Sequence, residues 1–251
     1  MKGKVEVHLS HSQINEFLRC PRKYHLHRRL GLEPEFCPSA LLFGSAIHRA
    51  LALYHQRRLE GRLASLAELM SEFRECVDGE ALPVRYRKGQ DAKGLKQKAR
   101  GMLEHYLANT QPAGDVLAVE EGFRLRLFEQ LPAIYGRIDL VEQTEDEHLV
   151  VTDFKTAKSR RTPDPDQLVL YREAVSKLDY PGKEVRIRYV VLLKTAEPDI
   201  AVYEPKLQPD ALDSLAALYQ EVWRAIQSGS SYPRTGWWCN GCQWARYCDR
   251  V

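Results

Sequence analysis

No stretch of the chain is apolar for long enough to cross a bilayer, and its charged N-terminus lacks the apolar run of a secretion signal. These absences exclude a helical membrane protein, and the expected compartment is the cytoplasm, with no membrane partner. Internal repeats and low-complexity tracts are missing as well. Charge of one sign is scarcely in excess: 37 Lys and Arg against 34 Asp and Glu leave a net +3, compatible with a polyanionic partner but too little to demand one. What is present is ordinary for a soluble globular protein, 44% hydrophobic and 28% charged over 251 residues. That length buries a substantial core, as one large domain or two small ones.

Cysteine is sparse and uneven. Three of six, Cys239, Cys242 and Cys248, crowd the C-terminus, while Cys20, Cys37 and Cys76 lie far away. In a cytosolic chain such a group reads as a metal or iron–sulfur site before it reads as disulfides. Spacing alone does not choose between tetrahedral zinc and an iron–sulfur cluster. Cys37 and Cys76 are expected to be ordinary buried thiols. Trp237, Trp238 and Trp244 flank the C-terminal group and are expected to shield it, with stacking on a nucleic-acid base as the sharper alternative.

The periodicity divides the chain. Residues 9–30 read as helical, with Ser10 and Gln13 at capping-box spacing and a break at Pro21. The basic run Arg22–Arg29 is either a solvated face or a phosphate contact. Helices are expected over 41–60, 65–77 and 93–109. The basic segment 83–92 between the last two reads as a mobile loop, solvated or gripping a strand. From Asp115 the pattern alternates, giving a strand over 116–127, a hairpin over 134–158, a helix over 165–178 that crosses to a strand over 186–193, and a final helix over 210–228. The expected fold is α/β, one mixed sheet with helices mostly N-terminal.

The hairpin carries the chemistry. Alternation puts Asp153 and Lys155 on one face, and a turn centred on Asp146 sets Asp139 opposite Asp153. Directly opposed side chains are about 5 Å apart at Cβ, where like charges repel. Two carboxylates and a lysine in one patch fit a hard divalent cation engaged in phosphodiester hydrolysis. The bland alternative is an exposed Asp–Lys pair on a surface sheet.

Gly136-Arg-Ile-Asp139, Asp153-Phe-Lys155-Thr and Gln167-Leu-Val-Leu-Tyr171 together resemble the motifs of the PD-(D/E)XK nuclease superfamily. Phe43-Gly-Ser-Ala-Ile-His48 resembles the histidine motif of its RecB-like branch. Cys20-Pro with the distant Cys239, Cys242 and Cys248 resembles that branch's iron–sulfur members, among them CRISPR-associated adaptation nucleases and nuclease domains attached to helicases such as AddB. The proline of the superfamily's name is absent before Asp139.

The resemblance implies a restriction-endonuclease-like core as a single nuclease domain over 1–251, containing a helical region over 41–112 and an iron–sulfur lobe over 229–251 closed by Cys20. It implies a metal-dependent DNA exonuclease acting on single strands or DNA ends, in repair, recombination or CRISPR spacer acquisition. The alternative is a non-catalytic DNA-binding or assembly subunit on the same fold. Implied cofactors are Mg²⁺ or Mn²⁺ and a [4Fe-4S] cluster on Cys20, Cys239, Cys242 and Cys248; implied partners are DNA and a helicase or CRISPR adaptation complex. His48, Asp139, Asp153 and the Phe154 carbonyl would hold the catalytic metal. Lys155 would be the catalytic lysine, and Gln167 and Tyr171 would position DNA or that lysine. Against this, His48 could be a core histidine, Gln167 a helix cap reaching back from Asp164-Pro-Asp, and Tyr171 a packing residue. Glu120 or Glu121 matches a further acidic position, with the sequence leaving the choice open. Arg85, Arg87, Lys88 and Lys158 are the candidate DNA contacts.

Overall fold

A computed structural model describes residues 8–178, 180 and 184–249. The charged N-terminal residues and the last two residues of the expected C-terminal lobe lie outside that range. The chain divides into two compact units, Met1–Phe36 with Gly122–Gly136 and Gln208–Val251, and Cys37–Glu121 with Arg137–Leu207.

In the first unit, helix α1 (His11–Arg19) starts where Ser10 accepts the Gln13 N–H, and it buries Ile14 and Phe17. Cys20 is extended and Pro21 opens a new four-residue helix, α2 (Pro21–Tyr24), so the break expected at the proline is present. A π-helical turn, His25–Arg29, follows. The basic run is partly occupied within the fold: Lys23, His27 and Arg28 all reach the Glu16 carboxylate, at 3.0–3.4 Å. Burial opposes ionisation of Glu16, but these partners outweigh it and hold its pKa below the usual value.

The second unit carries the sheet. Its helices are α3 (Ser39–Leu59), α4 (Leu66–Asp78) and α5 (Ala92–Asn109), close to the expected spans. Ser65 and Glu68 form a reciprocal capping box on α4, and Asp91 caps α5. The segment expected as a free loop contains β2 (Val84–Arg85), which pairs in parallel with β1 (Cys37–Pro38), a two-residue ladder too short to leave a periodic signal. The main sheet runs β3 (Asp115–Leu125), β4 (Ile134–Gln143), β5 (Leu149–Ala157), β6 (Val185–Leu193), β7 (Asp199–Tyr203). Strands β4 and β5 are antiparallel, β5 and β6 parallel, and β6 and β7 antiparallel. Helix α6 (Asp166–Val175) makes the crossover between the parallel pair. Strand β7 is an addition to the sequence reading, which ends the sheet at β6.

Helices cover both faces. Phe43, Leu51, Phe73, Met102 and Tyr106 of α3–α5 pack on Leu140, Phe154, Val190 and Leu192. Each such large side chain, once buried, contributes about 1.5–3 kcal/mol. Opposite them, α6 buries Leu168, Leu170, Tyr171 and Ala174. The first six residues of β5 are buried, as expected of a strand covered on both sides.

A cluster of polar side chains lies within this core. Glu142, fully buried, accepts from Arg58 Nη1 at 2.9 Å and from Arg188 Nη2 at 3.0 Å. Arg58 also donates to His55 Nδ1 at 3.0 Å. Since arginine only donates, the His55 proton is on Nε2, facing the Tyr106 hydroxyl at 2.8 Å. Burial, with Arg58 and Arg188 nearby, drops the His55 pKa to about 3.

The parted end of the β4–β5 hairpin as a candidate active site

The β4–β5 turn closes with Thr144 N–H donating to the His148 carbonyl at 3.0 Å. Pairing continues through Gln143–Leu149 to Leu140–Thr152, and the same register would next set Asp139 against Asp153. Hydrogen-bonded pairs recur at every second position, so Phe154 N–H would meet the Ile138 carbonyl. Instead it donates to Asp139 Oδ2 at 2.8 Å. The strands part here, and the Asp139 side chain takes over a backbone donor in the gap.

Around that gap the residues singled out by sequence converge. His48 Nδ1 of α3 lies 3.4 Å from Asp139 Oδ2. Asp153 is 1% exposed, and its Oδ2 has Lys155 Nζ at 2.6 Å as an ion-pair partner without an aligned hydrogen bond. Lys155 Nζ also donates to Gln167 Oε1 at 2.8 Å. Gln167 Nε2 donates to the Tyr171 hydroxyl, which donates to the Arg137 carbonyl, each at 2.6 Å. Gln167 therefore does not cap α6, whose N-cap position is Pro165 and which has no side-chain cap. Tyr171 is buried as a packing residue would be, yet its hydroxyl is tied to this chain of bonds.

Electrostatics follow from burial and crowding. Desolvation foremost, then Asp139, pushes the Asp153 pKa up to about 6, with Lys155 opposing. Burial would lower His48, but the hydrogen bond and charge of Asp139, helped by Asp153, raise it above its usual value. Glu120 is raised by burial and then by Asp139.

Glu120 and Glu121, the two acids the sequence left open, are placed differently. Its φ is +54°, a left-handed conformation unusual for glutamate inside a strand. The kink puts Glu120 into the lining of a cavity of about 900 Å³ that His48 and Asp139 also line. Glu121 is not among the lining residues. Sequence reasoning had no signal for this placement, which goes with a backbone angle. Arg49, Glu72 and Arg137 line the same cavity and were likewise not singled out.

The donor set is oxygen-rich, with one imidazole and one buried carboxylate oxygen short of hydrogen bonds, which is the chemistry a hard divalent ion takes. Among the described residues, however, no three or more His, Cys, Asp or Glu side chains stand together as a ready metal-binding group. The oxygens concerned are engaged by Lys155, His48 and the Phe154 amide.

All six cysteines are free thiols. Cys242 has its pKa raised by burial, with Cys20 and Cys239 adding to the shift, so these three share one electrostatic neighbourhood. Arg22 pairs with Asp249 at 3.3 Å, linking the segment after Cys20 to the residue after Cys248. Cys37 is buried, its pKa pushed up to about 11 by desolvation and Glu80, whereas Cys76 is half-exposed, contrary to expectation. The tryptophans beside the cysteines differ in exposure. Trp244 is 3% exposed and donates to the Leu32 carbonyl at 2.7 Å, but Trp237 is 78% exposed. The cause is local: Trp237 sits on the outside of a 3₁₀ turn (Trp237–Gly241) that buries none of its residues.

Of the candidate DNA contacts, Arg87 and Lys158 line a common cavity, while Arg85 and Lys88 are not part of that lining.

A mixed α/β sheet with a parallel crossover, bearing carboxylates and a lysine where two central strands part, defines a restriction-endonuclease-like core. Residues 8–249 match the PD-(D/E)XK nuclease superfamily, and the chain belongs to that superfamily. No curated protein matches it. Among solved structures it is similar to one named "Putative exonuclease" from Eubacterium rectale, with TM-score 0.60 and 16% identity over 97% of this chain and 88% of that one. It also aligns with SSO0001 at TM-score 0.36 and 17% identity, over 94% and 96% of the two chains. No described helix is long and apolar enough to cross a membrane.

Proposed function

We infer that the chain is a metal-dependent DNA exonuclease of the RecB-like branch, hydrolysing phosphodiester bonds of single strands or DNA ends. The observation that carries this reading is the meeting of His48, Asp139, Asp153 and Lys155 at the parted strands, beside a cavity open to a ligand. His48, Asp139, Asp153 and the Phe154 carbonyl would hold Mg²⁺ or Mn²⁺. Such an ion, when bound, supplies Lewis-acid polarisation of the phosphoryl oxygen and acidifies its water. Lys155 contributes a positive charge where negative charge develops on phosphorus. Gln167, fixed by Tyr171, holds the lysine's ammonium in place. Glu120 adds an acid at the cavity wall, able to accept a proton or orient water.

Digestion of end-labelled single- and double-stranded DNA with Mg²⁺ or Mn²⁺ tests this directly. Lys155→Ala and Asp153→Ala should each abolish it, and undiminished digestion by either variant refutes the assignment. DNA bound but uncut across several divalent metals would instead identify a non-catalytic binding subunit. Polarity of digestion would indicate which DNA end the chain serves in repair, recombination or CRISPR spacer acquisition, beside a helicase or an adaptation complex.

The same reading assigns Cys20, Cys239, Cys242 and Cys248 to a [4Fe-4S] cluster that ties the start of the chain to its end. Its support is the influence of Cys20 and Cys239 on the half-buried Cys242 thiol. Visible absorption and iron content of protein purified without oxygen test it; stoichiometric zinc without iron would reject it.

A further inference from the structure

A second cavity, of about 230 Å³, lies where α3 begins and β5 and β6 end. Four cations line it: Arg87, Lys98, Lys158 and Lys194. No aspartate or glutamate is in the lining, and among the described residues none of the four cations has a carboxylate partner within ion-pair distance. Lys194 Nζ is anchored on Thr156 Oγ1 at 3.0 Å and lies 5.3 Å from the centre of the Phe43 ring. Lys98 Nζ reaches the Lys194 carbonyl at 3.4 Å. Ser39 and Ala40, the first residues of the 21-residue helix α3, complete the wall, and that helix has no side-chain cap.

A fold gains nothing by itself from crowding four like charges around a partly enclosed space. Burial, with Arg87, Lys158 and Lys98, lowers the Lys194 pKa to about 8, so the charges resist one another when nothing is bound. An anion reverses that: it restores the lysine's full charge and accepts from several donors at once. The positive end of α3 adds to the same field.

Position selects the anion. Thr156 follows Lys155 directly on β5, and α3 runs from this cavity to His48. Ser39 and His48 are nine residues apart, about 13 Å along a helix. A strand crossing the candidate active site would carry further phosphates across that span.

We propose that Arg87, Lys98, Lys158 and Lys194 form a phosphate-binding subsite that holds the substrate strand at a phosphate away from the bond being cut. This rests on the nuclease reading for its ligand but is tested by binding, not by cleavage.

The experiment uses the full chain in EDTA, with fluorescently labelled single-stranded oligonucleotides carrying a 5′-phosphate or a 5′-hydroxyl, titrated at several salt concentrations. Arg87→Gln/Lys158→Gln, both at exposed positions, should weaken binding at least about tenfold. The slope of log affinity against log salt should become shallower by about 0.7 for each cation removed. Lys194→Gln should act in the same direction. Lys206→Gln, at an exposed lysine outside the cavity, should change neither quantity beyond the effect of one net charge. Loss confined to the 5′-phosphorylated strand identifies a terminal phosphate, and equal loss on both identifies an internal one; both support the subsite. Wild-type affinity and slope in the double variant, or no binding by the wild type, overturn it. Competition by inorganic phosphate with strand affinity unmoved by the substitutions also overturns it. If the variants lose affinity while the wild type never cleaves under divalent metals, the subsite stands and the nuclease activity falls.

Discussion

Replacing Glu142 by glutamine keeps the shape of the side chain and removes its charge from between two arginines. Glu142 has no exposed surface, and the side chains of Arg58 and Arg188 are 12% and 15% exposed. The amide can still accept one hydrogen bond but cannot offset two guanidinium ions. Removing one partner of a buried ion pair typically costs about 3–5 kcal/mol. That range applies here because Arg58 and Arg188 are held by other bonds, to the Gly114 carbonyl and to Thr152 Oγ1, each at 2.8 Å, and cannot easily turn to solvent. A domain is usually stable by only about 5–15 kcal/mol, so the variant should unfold at markedly lower urea. Trp223, Trp237, Trp238 and Trp244 all lie in the first unit, whereas Glu142 lies in the second. Far-UV circular dichroism is therefore the assay, with tryptophan fluorescence as an independent report on the other unit. Arg188→Gln added to Glu142→Gln should cost less than the sum of the two single changes, by about 1 kcal/mol or more. A loss below about 1 kcal/mol for Glu142→Gln, or strict additivity, would refute the claim that these charges depend on one another.

Stability should also fall with acid through His55. Its folded pKa, about 3, lies below the usual 6.5, so the unfolded chain binds the extra proton between those values. The penalty is absent above pH 6.5 and grows by up to about 1.4 kcal/mol per pH unit below it, while His55→Asn should flatten that slope in urea titrations. Glu120→Gly should raise stability by about 1 kcal/mol by relieving the left-handed residue, yet reduce nuclease rate; a thermal melt and a digestion assay on one preparation check both. Gly136→Ala should destabilise by about 1–3 kcal/mol, because its Cβ would fall 2.2 Å from the Phe123 ring, and an unchanged melting temperature would contradict this. Gln167→Ala should lower kcat about tenfold or more with little change in KM, since it frees Lys155 without touching the cavity lining.

The hairpin was legible because its information is local. Period-two alternation and a short polar turn determine which of Asp139, Asp153 and Lys155 share a face. The order of motifs did the same for His48, which the fold then brings to Asp139 from another element. Features that depend on distant neighbours were not legible. Lys98 and Lys194 are 96 residues apart, and no local pattern marks the two as partners. That Glu120 and not Glu121 lines the cavity goes with one φ angle. For Gln167 the local pattern pointed to a helix cap, but Lys155 competes for the same amide and wins. Strand β7 is five residues long and at an edge, with burial too mixed to show in the sequence.

The first unit is assembled from the beginning, middle and end of the chain. His11 Nδ1 meets the Tyr219 hydroxyl at 2.7 Å, across 208 residues of sequence. At about 5–20 residues per second, a ribosome needs roughly 10–40 s to reach that partner after making the histidine. During that interval α1 has no α7 (Ala211–Gln227) to pack against. The nascent segment is thus a natural client for chaperones until residues 211–227 have been made.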